Sequence, residues 1–216
     1  KTARDEDIRL AIQRAHELGM RVALKPHIDI ESESIWRGNI GQGFDESQWD
    51  AWFSAYKSFL NHYAELAHEA GVDLLVIGTE LRDTSHRESD WRSVIAQARH
   101  HYSGPLTYSA NHSGEEEDLT WWDGLDYIGI SAYYPLAVSG SATVESLEGA
   151  WQPHVSKLQA LSERWDKQIL FTEIGYRSIN GSNTEPWCDE CGNAIDLQVQ
   201  ANAYEAFYKA VYDKDW

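Results

Sequence analysis

Two glutamates stand at the ends of two similar apolar runs. Glu80 follows the run from Leu74 to Thr79, and Glu173 follows the run from Ile169 to Thr172. An unbroken aliphatic run of this length is typical of a strand buried on both faces, as in parallel sheets. In α/β barrels, catalytic groups lie at the carboxyl ends of the strands. The two runs therefore predict two carboxylates facing one cleft, the arrangement that glycoside hydrolysis requires.

The elements around these glutamates alternate between strand and amphipathic-helix patterns. Asp45, with Gln48 in the capping-box position, predicts the start of a long aromatic-rich helix that Gly71 ends. The other predicted helices cover residues 5–18, 91–102, 144–165 and 201–211, with at most a stunted helix in 112–122, and the other predicted strands cover 21–24, 106–110 and 127–132. This alternation predicts an α/β fold. We expect one domain over residues 1–216, a partial (β/α)8 TIM barrel with about five parallel strands and six helices.

The composition excludes several classes of function. A formal net charge of −17 argues against partners such as nucleic acid or an anionic membrane, and it fits a neutral ligand and a soluble, secreted protein. No apolar run approaches the ~20 residues of a membrane span. Ten Trp and eleven Tyr are many for this length. We expect most of them in the core and some as platforms on which sugar rings stack.

The two cysteines, Cys188 and Cys191, lie in a polar loop. A structural zinc site needs four ligands, and the chain has no second cysteine pair, so we expect neither zinc nor any other cofactor there. A local disulfide and a pair of free thiols both remain open. A zinc hydrolase is disfavoured because no ligand cluster is visible, and a serine hydrolase because the G-x-S-x-G motif is absent.

Five stretches, KPHID, IGTEL, LTYSAN, WWDGLDYIGISAYYPL and FTEIGYRS, resemble glycoside hydrolase family 113. That family contains β-mannanases of clan A with a (β/α)8 barrel. The resemblance implies that Glu80 is the acid/base and Glu173 the nucleophile of a retaining enzyme acting on β-mannan or a related β-glycan. It numbers the strands here three to seven, so that strands one, two and eight have no counterpart.

Further residues at strand ends and in loops are candidates for substrate binding. Tyr133 or Tyr134 is placed to donate a hydrogen bond to the nucleophile. The other candidates are polar groups lining the sugar subsites and indole rings for stacking, namely His27, Asn111, Trp36, Trp121, Trp122 and Trp187. For each of them the alternative is a packed or solvated residue without a role in binding.

Two further expectations concern activity and assembly. The alternative to a working glycosidase is a weak or inactive barrel fragment that keeps the glutamate pair, as a sugar-binding remnant or a folding and assembly model. Five parallel strands cannot close a barrel, which leaves the strands at 21–24 and 169–173 as open edges. We therefore expect a homodimer in which two copies cover each other's open sides.

Overall fold

The computed structural model describes residues 3–31, 35–138, 142–191 and 194–216. Five strands follow one another in chain order within one sheet: β1 (Ala23–Leu24), β2 (Leu74–Thr79), β3 (Leu106–Asn111), β4 (Ile128–Ser131) and β5 (Ile169–Glu173). The α-helices of the described residues are α1 (Asp5–Glu17), α2 (Glu46–Ala70), α3 (Glu88–His101), α4 (Glu115–Asp118), α5 (Val144–Trp165) and α6 (Leu197–Val211). The predicted fold class, a partial (β/α)8 barrel of about five parallel strands and six helices, is confirmed.

The chain divides into two compact units, Lys1–Gly129 and Ile130–Trp216. They are called the first unit and the second unit below, and each is described by itself. That residues 1–216 form a single domain stays a prediction. None of the helices in the described residues is long and apolar enough to cross a membrane.

In the first unit, helix α2 packs its aromatic face against the sheet. The predicted capping box is confirmed: Gln48 N donates to Asp45 Oδ1 at 2.9 Å, and Asp45 N donates to Gln48 Oε1 at 2.9 Å. Gly71 ends the helix in the left-handed conformation, with φ of 68°. The buried Tyr56 hydroxyl donates to the Ile77 carbonyl at 2.7 Å, which ties the helix to β2. Each large side chain buried on this face contributes roughly 1.5–3 kcal/mol to stability.

Strand β1 is shorter than the sequence predicts. The pattern at 21–24 predicts four residues, whereas the strand contains Ala23 and Leu24, which pair in parallel with Leu74 and Leu75. One residue earlier, the Val22 carbonyl still accepts bonds from Asp73 N at 3.0 Å and from Leu74 N at 3.2 Å. Both bonds converge on one oxygen instead of alternating along the chain, so the regular ladder begins only at residue 23.

In the second unit, β5 is less buried than strands β2 and β3 of the first unit. All five of its residues are half-buried, whereas every residue of β3 is buried. Helices α5 and α6 pack together around aromatic rings, with Trp151 and Phe207 centroids 5.5 Å apart and Phe171 and Phe207 centroids 5.4 Å apart. The Asp196 side chain caps α6 by accepting bonds from two backbone amides. The packed helices α5 and α6 thus support β5, the strand that ends at Glu173.

The polar loop after β5 is closed by a disulfide between Cys188 and Cys191. This result decides between the two alternatives that the sequence leaves open. The Arg177 guanidinium donates to the carbonyl oxygens of Cys188 at 3.1 Å and Cys191 at 3.2 Å. These two hydrogen bonds anchor the disulfide segment to Arg177, which follows β5 closely in the chain.

Candidate active site

Glu80 stands directly after β2 in a backbone conformation that non-glycine residues rarely adopt. Its φ is 52°, in the left-handed region, which costs an ordinary residue roughly 1–2 kcal/mol. Two hydrogen bonds hold the peptide groups on either side: Glu80 N donates to the Ser109 carbonyl at 2.8 Å, and Leu81 N donates to Tyr108 Oη at 2.7 Å. Backbone strain that the surroundings enforce is a feature of functional sites. The conformation therefore marks Glu80 as a candidate for chemistry.

The end of β2 is irregular, and Gly78 permits its close approach to β3. Val76 pairs with Thr107 and Thr79 with Ser109, so three steps along β2 match two along β3. A Cβ on Gly78 would lie 2.8 Å from the Tyr108 ring and 3.0 Å from the Trp91 ring. Glycine at this position lets Tyr108 lie against β2, where its hydroxyl reaches Leu81.

Asn111, the last residue of β3, contacts the Glu80 carboxylate. Its Nδ2 donates to Glu80 Oε1 at 2.8 Å, and both side chains are buried. The other end of the amide is occupied, because Ser113 N donates to Asn111 Oδ1 at 2.9 Å. This bond sets the orientation of the amide, so that its nitrogen faces Glu80. The candidate subsite residue Asn111 is thus a direct partner of the candidate acid/base.

Glu115 lies buried behind these residues. Tyr108 Oη donates to its Oε1 at 2.6 Å, and Asn111 N donates to its Oε2 at 2.7 Å. Burial raises the pKa of the Glu115 carboxyl to about 7, while the bonds from Asn111 and Tyr108 act to lower that pKa and the nearby Glu80 charge acts to raise it. Burial also raises the pKa of the Tyr108 hydroxyl. A carboxyl that titrates near neutral pH therefore adjoins the candidate site.

The burial of Glu115 is difficult to predict from the sequence. It belongs to an acidic run that looks solvated, yet Glu115 is 2% and Glu116 0% exposed. Its position four residues after the strand end at Asn111 is the available signal, because a short helix there turns its first residues back toward the strand.

Trp121 and Trp122, proposed from the sequence as sugar platforms, pack in the core of the first unit. Trp121 and Trp122 are 0% exposed. Their Nε1 groups donate to the carbonyls of Ser85 and Glu116, each at 3.0 Å, and the Trp121 ring stacks on Trp91 with centroids 5.0 Å apart. Neither ring presents a free face in this structure, because both faces are used for packing.

His27 and Trp36, also in the first unit, are more accessible. His27 is exposed, and its Nδ1 accepts a hydrogen bond from Arg37 at 2.6 Å. Trp36 is half-buried and carries the Arg82 guanidinium 5.2 Å from its ring centroid. Both residues have surface to offer a ligand.

In the second unit, Glu173 ends β5. Of the two candidate tyrosines, Tyr133 makes the contact: its hydroxyl donates to Glu173 Oε2 at 3.1 Å. Gly175 leaves room for that ring, because a Cβ there would lie 3.3 Å from Tyr133 Cε1. Tyr134 is 1% exposed and stacks on His154 with centroids 4.4 Å apart. Trp187 is 47% exposed.

Each unit thus presents a carboxylate at a strand end, fixed by a side-chain donor. A carboxylate in this setting can transfer a proton or attack an electrophilic carbon. Within the described ranges, no group of three or more His, Cys, Asp or Glu side chains converges as a metal site. The chemistry that the residues themselves offer is that of carboxylates.

Comparison with known proteins gives a consistent result. The profile of Glycoside Hydrolase Family 113 matches residues 1–216. A GH113 β-1,4-mannanase in a complex structure is 29% identical with a TM-score of 0.88, and the match covers 99% of this chain and 66% of that one. The GH113 β-mannanase from Alicyclobacillus acidocaldarius in complex with ManMIm is 33% identical with a TM-score of 0.86, covering 99% of this chain and 65% of that one.

A more distant structure shares the fold alone. The β-glucuronidase from Ruminococcus gnavus in complex with uronic isofagomine is 16% identical with a TM-score of 0.67, over 94% of this chain and 34% of that chain. No curated protein matches the chain. The chain spans about two thirds of the length of the mannanases it matches. Because the family profile matches along the whole sequence, the chain belongs to glycoside hydrolase family 113.

Proposed function

We propose that the protein is a glycoside hydrolase of the retaining type that acts on β-mannan or a related β-glycan. The observation that carries this proposal is Glu80, a buried carboxylate at a strand end, held in a left-handed conformation and contacted by Asn111. Family membership supports the reaction class, and the similarity to two β-mannanases supports the substrate class.

The proposed mechanism gives the two glutamates different tasks. The Glu173 carboxylate attacks the anomeric carbon while Glu80 donates its proton to the departing glycosidic oxygen, which leaves a covalent glycosyl ester on Glu173. Water then attacks the same carbon, Glu80 takes a proton from it, and the ester bond to Glu173 breaks. This route requires carboxyl groups ~5–5.5 Å apart. The Tyr133 hydroxyl holds Glu173 and supports its orientation for attack.

The remaining candidates are proposed as sugar contacts. Trp187 and Trp36 offer exposed ring surface on which the C–H face of a pyranose packs, and His27 offers an exposed imidazole for a polar contact with a sugar. Asn111 and Tyr133 act through the carboxylates that they contact. Tyr134, Trp121 and Trp122 support the site from within the packing.

The test is hydrolysis of mannan, with cellulose as a second substrate. We expect reducing sugar from mannan with the wild type and none with Glu173→Gln, while Glu163→Gln, an exposed carboxylate on α5, keeps the wild-type rate. Early products observed by proton NMR should have the β configuration. An α product, or unchanged hydrolysis by Glu173→Gln, would contradict the retaining mechanism.

Sugar binding without turnover is the alternative function. It is favoured if calorimetry shows binding of mannotetraose by the wild type while no substrate releases reducing sugar. Hydrolysis by the wild type that Glu173→Gln abolishes would exclude it.

We also propose that the protein forms a homodimer. The half-buried residues of β5 and the exposed Leu197, Tyr208 and Tyr212 leave apolar surface that a second copy would cover. Light scattering tests this proposal. A particle of twice 24.6 kDa is expected, and a monomer at micromolar concentration would contradict it.

A further inference from the structure

The Glu115 carboxyl lies in the core of the first unit, and the proposed mechanism gives it no chemical task. It is 2% exposed and begins the four-residue helix α4. A buried carboxyl is costly unless hydrogen bonds compensate for the lost water. Its two oxygens do accept such bonds, and both lead toward Glu80.

The first oxygen holds the main chain beside Glu80. Tyr108 Oη donates to Glu115 Oε1 at 2.6 Å, and the same hydroxyl accepts the Leu81 N–H at 2.7 Å. The donation to Glu115 directs the Tyr108 hydrogen away from Leu81, which leaves a lone pair for the amide. Leu81 follows Glu80, so this relay fixes the peptide group that leaves the left-handed residue.

The second oxygen holds the residue that contacts the Glu80 side chain. Asn111 N donates to Glu115 Oε2 at 2.7 Å, and Asn111 Nδ2 donates to Glu80 Oε1 at 2.8 Å. Glu115 therefore fixes the backbone from which the amide reaches Glu80. One buried carboxyl thus supports Glu80 through its main chain and through its side chain.

We propose that Glu115 is a positioning residue for the acid/base Glu80. This inference rests on the proposed function, in which Glu80 transfers the proton. Proton transfer requires the donor within hydrogen-bond reach of the glycosidic oxygen, and a displacement of about 1 Å can cost ~100-fold in rate. Glu115 limits that displacement by bonding to Tyr108 and to Asn111.

The charge of Glu115 strengthens this support. Bonds to an ionised carboxylate are shorter and stronger than bonds to a neutral group, and the two distances lie in that shorter range. The titratable groups facing Glu115 are Tyr108 from β3 and Glu80 from the end of β2, and burial raises the Glu115 pKa to about 7. Both anchoring bonds therefore strengthen as the pH rises through that value.

The kinetic test uses the variant Glu115→Gln and two substrates, phenyl and 2,4-dinitrophenyl β-mannobioside. The amide has one acceptor oxygen, so only one of the two donors keeps its bond. Phenol needs a proton to depart, whereas dinitrophenol departs without one. We expect kcat/KM to fall roughly 10–100-fold for the phenyl substrate and less than about 3-fold for the dinitrophenyl substrate.

Glu116→Gln is the matched control. Glu116 is a buried carboxylate of the same short helix, and its Oε2 accepts a bond from Gly114 N. A general loss of packing would lower kcat/KM for both substrates by the same factor in either variant. The expected signature is a change in the ratio of the two kcat/KM values for Glu115→Gln and an unchanged ratio for Glu116→Gln.

A second readout does not depend on activity. Nitrogen-15 relaxation of the Asn111 side-chain amide and of the Leu81 backbone amide reports their order directly. We expect both order parameters to fall in Glu115→Gln and to stay unchanged in Glu116→Gln. Unchanged order at both groups in Glu115→Gln would overturn the inference, whatever the chain hydrolyses.

The variant Glu80→Gln separates failure of this inference from failure of the proposed function. If kcat/KM falls selectively for the phenyl substrate in Glu80→Gln but not in Glu115→Gln, the proposed function stands and the positioning role is overturned. If Glu80→Gln shows no such selectivity, the acid/base assignment fails. In that case, loss of order at Asn111 and Leu81 still supports the structural part of the inference, and retained order overturns it.

Discussion

The two glutamates sit in contrasting surroundings within their own units. Glu80 is 9% exposed, has a left-handed backbone and is contacted by an amide. Glu173 is half-exposed, ends a strand whose residues are all half-buried, and accepts a bond from Tyr133. Two carboxyl groups in unlike environments are what a pair with unlike roles requires.

The contrast fits the tasks proposed for the two groups. A proton donor must keep a fixed direction toward the glycosidic oxygen, which the bonds around Glu80 enforce. A nucleophile must approach the anomeric carbon closely, which a partly exposed side chain at a strand end permits. The buried supports of Glu80 and the accessible position of Glu173 therefore lead to distinct expectations for variants of each.

The largest effects are expected from the glutamates themselves. Glu173→Gln should lower kcat/KM roughly 10³-fold or more for every leaving group, because the covalent intermediate cannot form. Glu80→Gln should lower it ~10²–10⁴-fold for phenyl mannobioside and far less for the dinitrophenyl substrate. Steady-state kinetics on both substrates checks this. Equal losses for both substrates in Glu80→Gln would remove the distinction between the two roles.

Removal of the Asn111 side-chain amide should have the next largest effect on kcat/KM. Asn111→Ala deletes the donor to Glu80 Oε1, and we expect kcat/KM for phenyl mannobioside to fall ~10²-fold. Asn61→Ala is the control, since Asn61 is an amide of α2 in the same unit that bonds to Gln97 instead. Equal losses in the two variants would show that the effect comes from general destabilisation.

The stability of the first unit should depend on the ionisation of Glu115. Its pKa of about 7 when folded lies above the ordinary 4.5, so the folded state binds the proton more tightly. The stability that Glu115 contributes is thus complete below pH 4.5 and is lost as the pH rises through about 7. Ionisation of Glu115 changes the free energy of unfolding by at most about 3 kcal/mol.

Urea denaturation across this pH range provides the measurement. The free energy of unfolding of the wild type, minus that of Glu115→Gln, should decrease between pH 4.5 and about 7. A difference that stays flat, or that increases with pH, would show that folding does not raise the pKa of the Glu115 carboxyl.

The smallest expected effects come from three glycines, of which Gly78 and Gly175 lie next to the two candidate site residues. Gly78→Ala would bring a methyl group within 2.8 Å of Tyr108 and should destabilise by roughly 1–3 kcal/mol. Gly175→Ala meets Tyr133 at 3.3 Å and should cost less. Gly149→Ala, in α5 with open space around it, should stabilise by roughly 0.5–1 kcal/mol. Urea denaturation ranks the three; equal values for Gly78→Ala and Gly175→Ala would contradict the difference in packing.

Local sequence rules predicted much of the frame. The apolar runs before Glu80 and Glu173 do form strands, and the Asp45 cap and the Gly71 stop lie where they were expected. These features depend on neighbours within a few residues, which the sequence displays directly. The two apolar runs therefore sufficed to place both carboxylates at strand ends.

The supports of Glu80 could not be predicted in the same way. An acidic run looks solvated, yet Glu115 is buried because Tyr108 and Asn111 supply donors from another strand. Trp121 looks like a sugar platform, yet it stacks on Trp91 from α3. Burial and partners across elements depend on the packing of distant segments. The left-handed turn at Glu80 likewise follows from pairing with β3.

The most direct test of the two roles is to trap the covalent intermediate. Incubation with 2-deoxy-2-fluoro-β-mannobiosyl fluoride slows both steps, while the good leaving group lets the ester accumulate. Mass spectrometry of peptic peptides should then locate the disaccharide on Glu173, with Glu80 unlabelled. A label on Glu80, or unlabelled protein that hydrolyses mannan with inversion, would contradict the account.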